Sequence, residues 1–372
     1  MPRLLVAISA HGLGHLGQVA PVCNQLKALR PDVTLTIWSA LPIQVLNARI
    51  LGNFEHIASP CDLGLIMHDA MRVNVEASWA AYADREAHWS SHLKTACELV
   101  RNAAPDLILS DVGDMPLAAA QKLGIPGLAM SSLNWADTGR FYFEALSDST
   151  PVLERITDIY DNATAALRLT PGMPMRGLTE RILPPVGARS AHTKQALDTI
   201  LGATGIDPLL MLRPRILIGM GGIETPLPYE QWPEQSAFTL LVANQTRLPA
   251  EGYAAQGIIN IDKVCKATNL VFTDLLGCCD AVVCKPGYGT FVEAALAGIP
   301  LLYVERDDWP EQQVLVAWLN DNTRCARLAP DVLQQGHFNE ALKSLLAQPA
   351  TTPIQQDGAT IAALEVLRWL DR

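Results

Sequence analysis

A strand, a glycine-rich turn, a helix and a second strand follow one another between Asp280 and Gln313, and this order constrains the fold more than any other part of the chain. The apolar run Ala281 to Cys284 predicts a buried strand, and the turn spans Lys285 to Gly289. A helix is predicted to open at Thr290, and Pro300 to Val304 predicts the second strand. Amides and a dipole at such a helix start attract phosphate, so the stretch indicates half of a nucleotide-sugar site.

Strands and helices alternate along the whole chain, which predicts parallel sheets with helices on both faces. Tyr142 to Leu167 is predicted as one helix. Pro171 to Pro185, interrupted by prolines and by Gly172 and Gly177, is predicted as a connection between domains. The other predicted strands are Leu4 to Ser9, Val33 to Ser39, Leu107 to Ser110 and Gly127 to Ser131 before this connection, and Ile216 to Gly219, Thr239 to Ala243, Ile258 to Ile261 and Leu270 to Phe272 after it.

The predicted architecture is therefore α/β, with two Rossmann-like domains and a cleft between them. Residues 1–187 form the predicted first domain and residues 188–355 the second. Residues 356–372 form a last helix that can pack back on the first domain. With 372 residues, 49% of them hydrophobic, the chain can bury two cores of ordinary domain size.

Charge and hydropathy exclude several classes of protein. A formal net charge of −10 argues against a nucleic-acid partner, because nucleic-acid binders need a basic face. No apolar run approaches the roughly 20 residues of a transmembrane segment, and the first run is too short for a signal peptide. A cytoplasmic protein is expected, with no constraint on its oligomeric state. The eight cysteines lack metal-ligand or disulfide spacing and are predicted to be reduced.

The loop after the first predicted strand contains Gly12, Gly14 and Gly17, a Gly-x-Gly-x-x-Gly pattern typical of dinucleotide binding. That pattern requires an acidic residue at the end of the next strand, where this chain has Ser39. A nicotinamide-dependent dehydrogenase is therefore the disfavoured alternative.

A histidine at position 15 sets this loop apart, because a dinucleotide-binding turn gains nothing from an imidazole. At the carboxyl end of a parallel strand, His15 is predicted to act as a general base, with His11 on the acceptor side as the lesser candidate. Asp111 follows another predicted strand and could orient the imidazole through its second ring nitrogen. Asp111 could equally cap the next helix.

The second half carries the predicted donor site. Lys285 is predicted to neutralise a diphosphate, and Glu293 to bind the ribose, although the spacing from Thr290 to Glu293 also fits a helix capping box. The backbone amides predicted to hold the diphosphate are those of Gly287, Tyr288, Gly289 and Thr290. The remaining residues assigned to the donor are Gly14, Gly221, Gly222 and Phe272.

With both glycine loops in view, the chain resembles the GT-B glycosyltransferases, in which two Rossmann-like domains face each other across a cleft. Lys285 to Gln313 is similar to the donor segment of the peptidoglycan N-acetylglucosaminyltransferases and UDP-glycosyltransferases, and Gly14-His15 matches their Gly-His pair. The resemblance implies that His15 is the base and Glu293 the ribose ligand. It also implies that the amides of Gln312 and Gln313 touch the sugar.

The match to the UDP-glycosyltransferases is incomplete. Their tryptophan-led donor signature is absent, and their Asp-Gln pair is represented by Glu311 and Gln312. A closer resemblance is to the N-terminal, glycosyltransferase-like module of the L-arabinokinases. The chain stops at Arg372 without their sugar-kinase part, so phosphorylation of arabinose is not expected. The segments that carry this resemblance are His11 to His15, Ser110 to Val112, Ser132 to Trp135, Lys285 to Thr290 and Glu305 to Asp308.

Two further groups of residues have candidate roles. Asn134 and Trp135 are predicted to line the acceptor side, where an aromatic face can stack on a sugar. Asp307, Asp308 and Glu311 bring three carboxylates together, a pattern that can bind a divalent metal. The GT-B resemblance implies instead that helix dipoles stabilise the leaving diphosphate, so no metal and no cofactor is predicted.

The sequence thus predicts sugar transfer from a nucleoside diphosphate donor, most simply UDP-linked, to a hydroxyl acceptor with inversion of the anomeric centre. The predicted acceptor is a small molecule or a lipid- or peptide-linked group. Two other classes of protein stay open. One is a nucleotide-sugar-binding module without activity, and the other is an epimerase or hydrolase of nucleotide sugars on the same fold.

Overall fold

The computed structural model describes residues 1–146, 148–175, 180–222, 225–243, 248–249, 252–306 and 308–372. The strands are β1 (Arg3–Ile8), β2 (Thr34–Trp38), β3 (Glu55–Ile57), β4 (Leu107–Asp111), β5 (Gly127–Ser131), β6 (Ala165–Leu169), β7 (Glu180–Leu183), β8 (Arg215–Gly219), β9 (Thr239–Val242), β10 (Ile258–Asn260), β11 (Ala281–Cys284), β12 (Leu301–Val304) and β13 (Cys325–Leu328). The α-helices are α1 (Leu13–Leu29), α2 (Ile43–Asn47), α3 (Val75–Ala87), α4 (Trp89–Ala103), α5 (Asp114–Leu123), α6 (Trp135–Phe143), α7 (Ser149–Asp161), α8 (Lys194–Gly202), α9 (Pro208–Met211), α10 (Asp262–Thr268), α11 (Phe272–Cys278), α12 (Tyr288–Ala297), α13 (Gln312–Asn322), α14 (Pro330–Gln335), α15 (Asn339–Leu346) and α16 (Gly358–Leu370).

The chain forms two compact units. The first comprises Met1–His68, Val73–Gly187 and Gln356–Arg372, and the second comprises Asp69–Arg72 and Ala188–Gln355. The first unit contains a seven-stranded sheet with the order β3-β2-β1-β4-β5-β6-β7, and the second a six-stranded sheet with the order β10-β9-β8-β11-β12-β13. Neighbouring strands pair in parallel throughout both sheets. This arrangement confirms the predicted α/β class.

The first unit buries its central strands on both faces. Leu5 and Ala7 of β1 and Ile108 of β4 pack in one apolar cluster with Val100 of α4 and Ala119 of α5. Such strands are continuously apolar because helices cover both sides of a parallel sheet. The last helix, α16, packs on α1 and also contacts β4 and β7.

The second unit has its own core. Ile218 of β8 and Val283 of β11 belong to a cluster that includes Leu302 of β12 and the large side chains of Trp232 and Phe338. The two aromatic rings meet edge to face, with their centroids 5.4 Å apart. Each unit therefore buries a hydrophobic core of its own.

Two predicted elements in the first unit are wrong. The single helix predicted from Tyr142 to Leu167 is instead the end of α6, the whole of α7 and the start of β6, because α7 ends at Asp161 and the chain turns at Asn162. The predicted connection from Pro171 to Pro185 contains β7, which pairs with β6 at the edge of the sheet. Its Gly177 lies outside the described residues.

Two predictions in the second unit also need correction. Leu270 to Phe272 is not a strand, since the Asp274 carboxylate accepts a hydrogen bond from the Val271 amide at 3.1 Å and α11 begins at Phe272. The helix predicted to open at Thr290 begins at Tyr288, with Gly287 in an extended conformation as its N-cap. The capping box that Thr290 and Glu293 could have formed is therefore not the start of α12.

The described part of the chain contains no helix that is long and apolar enough to cross a membrane. All eight cysteines are free thiols, as predicted, and all of them except Cys265 and Cys325 are buried.

We expect Gly358→Ala to destabilise the first unit. A Cβ at this position, the first residue of α16, would lie 2.1 Å from the backbone oxygen of Pro185, which cannot move without shifting the chain. The expected loss is about 1–3 kcal/mol, typical of overpacking, and it can be measured by urea or thermal unfolding. Gly202→Ala is the control, because a Cβ at that helical glycine would meet no atom within 4 Å. Equal effects of the two substitutions would contradict the prediction.

Candidate functional site

The order of strands in the first unit reverses between β1 and β4. From β1 the chain continues to β2 and β3 on one side, and it later returns through β4, β5, β6 and β7 on the other. The loops that leave β1 and β4 therefore diverge at the carboxyl edge of the sheet, which is where open α/β sheets bind ligands. His11 and His15 follow β1, and Asp111 ends β4.

His15 and Asp111 are in direct contact at this edge. Nδ1 of His15, in the first turn of α1, lies 3.1 and 3.3 Å from the two carboxylate oxygens of Asp111. His15 is 6% exposed and Asp111 is fully buried. Burial raises the pKa of the Asp111 carboxyl, whereas the charge and hydrogen bond of His15 lower it. The carboxylate can therefore orient the imidazole and stabilise its protonated form.

Neighbouring backbone supports this role for Asp111. The N-cap of α5 is Gly113, so Asp111 does not cap the helix that follows it. Gly14 directly precedes His15 in α1, and a Cβ there would meet no atom within 4 Å.

The indole of Trp135 packs against both imidazoles. Its centroid lies 5.2 Å from that of His11 and 6.0 Å from that of His15, and the two imidazole centroids are 6.5 Å apart. Trp135 is only 1% exposed, so it supports the histidines from within the protein. Asn134 is the N-cap of α6, where its side chain accepts a hydrogen bond from the amide of Asp137 at 2.6 Å. The structure thus places Trp135 against both histidines, while Asn134 caps the helix that carries this indole.

Tyr160 holds the loop after β4 in place. Val112, which follows Asp111, has φ of 56°, a conformation that is strained for a β-branched residue. The Tyr160 hydroxyl donates to the carbonyl of Val112 and accepts from the backbone amide of Trp135 at 3.3 Å. One buried hydroxyl therefore ties the strained residue beside Asp111 to the start of α6.

Asp62 belongs to the same cluster, although sequence reasoning did not select it. One of its carboxylate oxygens accepts a hydrogen bond from Nε1 of Trp135 at 2.7 Å. Burial raises the pKa of the Asp62 carboxyl, against the hydrogen bonds from Ser9 and Trp135 and the charge of His15. The sequence does contain a signal for Asp62, because it is the single carboxylate in the otherwise apolar stretch from Cys61 to Met67.

The second unit has a reversal of the same kind, between β8 and β11. The glycine loops that follow these strands meet at Lys285. A Cβ at Gly221, where φ is 89°, would lie 3.0 Å from Cε of Lys285, and one at Gly287 would lie 3.9 Å from its Nζ. Gly222 is exposed next to Gly221. The structure thus brings Gly221, Gly287 and Lys285, which were all predicted to bind the donor, close together.

The first turn of α12 offers backbone amides beside this lysine. Gly287, as N-cap, has no side chain to bond the amides of the first turn, which are those of Tyr288, Gly289 and Thr290. The aligned peptide dipoles make the same end of the helix favourable for an anion. A phosphate beside Lys285 would therefore meet both an ammonium group and a helix N-terminus.

Glu293 lies one turn further along α12 and is 4% exposed. Together with Arg189, Ser190 and Thr273 it lines a cavity of about 190 Å³ within the second unit. Phe272, which begins α11, packs its ring 3.2 Å from the position that a Cβ of Gly219 would take, at the end of β8. The cavity combines a carboxylate, two hydroxyls, a guanidinium group and apolar carbon, which suits a ribose or a base.

Two cations lie close together at the carboxyl edge of the second sheet. Burial, together with the positive charge of Arg306, lowers the pKa of Lys285 to about 8. Arg306 is 4% exposed, stacks 4.5 Å from the ring centroid of Trp309, and donates from Nε to the carbonyl of Met71 in the same unit at 3.1 Å. Sequence reasoning placed Arg306 in a motif but gave it no role.

The predicted sugar-contacting residues shape the loop that carries Arg306. Oε1 of Gln312 accepts a hydrogen bond from the Arg306 amide at 2.6 Å, and Glu311, which is buried, accepts from the Trp309 indole at 3.2 Å. Gln313 is exposed in the first turn of α13. Asp307 lies outside the described residues. Among those that are described, no three His, Cys, Asp or Glu side chains are grouped so that they could hold a metal ion.

Comparison of sequences gives one informative relative. No protein-family model matches the chain. The L-arabinokinase of Arabidopsis thaliana is 25% identical over 316 residues, which are 83% of this chain and 28% of that protein. This chain therefore spans little more than a quarter of the relative that it matches.

Comparison of structures identifies the fold. CalG4, the calicheamicin glycosyltransferase, superposes with a TM-score of 0.64 at 17% identity, covering 100% of this chain and 99% of CalG4. A UDP-glucosyltransferase from Polygonum tinctorium, one that glucosylates indoxyl, superposes with a TM-score of 0.59 at 15% identity over 100% and 99% of the two chains. The chain has the GT-B fold of these glycosyltransferases, as its resemblance to that superfamily implied.

Proposed function

We propose that this protein transfers a sugar from a nucleoside diphosphate donor, with UDP as the nucleotide, to a hydroxyl acceptor with inversion of the anomeric carbon. The observation that carries the proposal is the buried contact between His15 and Asp111 at the reversal point of the first sheet. The GT-B fold supports the reaction class, and the UDP-glucosyltransferase activity of the Polygonum enzyme supports the choice of UDP.

His15 is the proposed base of this reaction. The acceptor oxygen bonds to the anomeric carbon while the bond from that carbon to the diphosphate breaks, and the acceptor proton passes to the ring nitrogen that does not face Asp111. The imidazole becomes a cation beside a carboxylate, which stabilises it. Attack and departure on opposite faces of the sugar invert the anomeric centre.

The second unit is the proposed donor site. The amides in the first turn of α12 and the ammonium group of Lys285 bind the diphosphate and stabilise the charge that it gains on leaving. Glu293 binds the ribose at the edge of its cavity. We propose that this positive charge replaces a metal ion in the transfer step.

A nucleotide-sugar-binding module without transferase activity is the second candidate. The observation that favours it is the sequence similarity to an L-arabinokinase, of which this chain matches only 28%. Such a module binds the donor but gives no product with any acceptor.

A thermal-shift screen of UDP-, dTDP- and GDP-sugars tests donor binding first, since a ligand that binds only the folded state raises Tm. The selected donor is then incubated alone and with a panel of small-molecule hydroxyl acceptors. Transfer supports the proposal, whereas release of free sugar or a new epimer from the donor alone identifies a hydrolase or an epimerase. Donor binding without any reaction supports the binding module.

We expect His15→Ala to lower kcat by about 10²- to 10⁴-fold, because a positioned general base contributes that much to proton transfer. Donor affinity should change little, since the substitution leaves Gly14 in place and the amides of α12, Lys285 and Glu293, which are proposed to bind the nucleotide, belong to the second unit. His92→Ala, which removes an exposed imidazole from α4 of the first unit, is the matched control. Unchanged turnover in His15→Ala would refute the proposed base.

Gly221→Ala is expected to weaken donor binding because the new Cβ displaces Lys285, whose Cε would be 3.0 Å away. Gly205→Ala carries the same backbone penalty, with φ of 82°, but its Cβ would meet no atom within 4 Å. Unfolding measurements should show similar losses of stability for both variants. Isothermal titration with UDP should show a weaker Kd for Gly221→Ala alone, and equal affinities would count against the assigned site.

UDP affinity is expected to fall as pH rises above about 8, because free Lys285 with its pKa of about 8 loses its proton there and binding must restore it. The fall can approach tenfold per pH unit, by the same linkage. Lys285→Met should bind UDP weakly with little pH dependence between pH 8 and 9.5, whereas the exposed control Lys263→Met should behave as the wild type. The lowered pKa of Lys285 destabilises the free protein below about pH 8, and this penalty fades toward 10.5, so Lys285→Met should fold well at pH 7.

A further inference from the structure

The loop from Pro60 to Gly64 brings a carboxylate to the base from the far edge of the first sheet. It follows β3, the edge strand, and packs against the loops that leave β1 and β4. Gly64 has φ of 61°, and a Cβ there would lie 3.0 Å from Cβ and Cδ2 of His11. A Cβ at Gly113 would lie 3.3 Å from the carbonyl of Cys61. These two close approaches fix the loop on both sides of Asp62.

The Asp62 carboxyl is held by donors. Nε1 of Trp135, which can only donate, lies 2.7 Å from one of its oxygens, and the hydroxyl of Ser9 bonds it as well. Hydrogen bonds from donors favour the ionised form of a carboxyl group against the effect of burial. The two donors and the charge of His15 therefore oppose the rise in pKa that burial causes at Asp62.

The titratable groups of this region come from five parts of the first unit, which are β4, α3, α5 and the loops after β1 and β3. Asp111 ends β4 and bonds the imidazole directly, and His11 lies in the loop after β1. Asp114, in the first turn of α5, is neutralised by a buried pair of contacts with Arg85 of α3, at 2.7 and 2.9 Å. Asp62 supplies a second carboxylate that acts electrostatically on His15. The thiol of Cys61, whose pKa burial raises well above its usual value, stays neutral.

We propose that Asp62 is a positioning residue of the base, which holds Trp135 against the two imidazoles and adds a second carboxyl group to the surroundings of His15, besides Asp111. This inference rests on the proposed role of His15. When His15 takes the acceptor proton, the second carboxylate stabilises the imidazolium further and so strengthens the base. The same carboxyl group accepts the hydrogen bond of the Trp135 indole, which packs against the imidazole rings of His11 and His15.

The test is an NMR titration of the His15 imidazole in the wild type and in three variants. Asp62→Asn keeps an oxygen that can accept the indole hydrogen bond but removes the charge, so the titration midpoint of His15 should fall by about 0.5–1 pH unit. Asp62→Glu restores the charge and should bring the midpoint back toward the wild-type value. Glu98→Gln removes one exposed carboxylate from α4 of the same unit and should leave the midpoint unchanged.

The acid limb of the pH profile of kcat/KM should move to lower pH in Asp62→Asn by the same amount. The Trp135 indole resonance should move less in Asp62→Asn than in Asp62→Ala, because the amide oxygen can still accept the indole hydrogen bond, and this difference shows that the first variant retains the packing. A His15 midpoint in Asp62→Asn equal to that of the wild type would overturn the inference. The titration needs no substrate, so a protein without transferase activity that still shows the shift would refute the proposed function and leave the electrostatic role of Asp62 standing.

Discussion

The reversal of strand order in each parallel sheet is the constraint on which both candidate sites depend. All strands of a parallel sheet end at one edge, and the loops from two neighbouring strands diverge only where the order reverses. In the first unit this occurs between β1 and β4, which brings His15 within hydrogen-bonding distance of Asp111, 96 residues away in the chain. In the second it occurs between β8 and β11, which brings the loop of Gly221 over the side chain of Lys285.

Most interior strands could be predicted from the sequence, and most edge strands could not. The exceptions are the interior strand β6, which was predicted as part of a helix, and the edge strand β10, which was predicted from Ile258 to Ile261. β4, β5 and β11 are buried along their whole length, and each contains a run of apolar residues from which the boundaries of the strand could be located to within a residue. β7 has the sequence Glu-Arg-Ile-Leu, and β13 is also partly exposed. Such half-covered strands carry polar residues and lose the apolar run that marks a strand. Leu270 to Phe272 shows the converse, since an apolar run there leads into a capped helix.

The pair at the centre of the first site could also be predicted, because His15 and Asp111 each follow a recognisable interior strand. Asp62 could not, since it arrives on a loop from an edge strand and its role depends on a contact with Trp135. The sequence predicted that Trp135 belongs to the site, but it did not predict that the side chain is buried. Because it is buried, the indole supports the two histidines and does not offer its face to a sugar. The lowered pKa of Lys285 likewise depends on Arg306, which a later loop brings close.

The helix α16 has a consequence for how the molecule is made. The first unit is discontinuous, because Gln356–Arg372 joins it only after the whole second unit has been synthesised. At ordinary rates of translation, synthesis of the segment Ala188–Gln355 takes on the order of tens of seconds. During that time the surface of α1 that α16 covers has no partner, so the helix that carries the proposed base completes its packing last, after the nascent second unit has had time to fold.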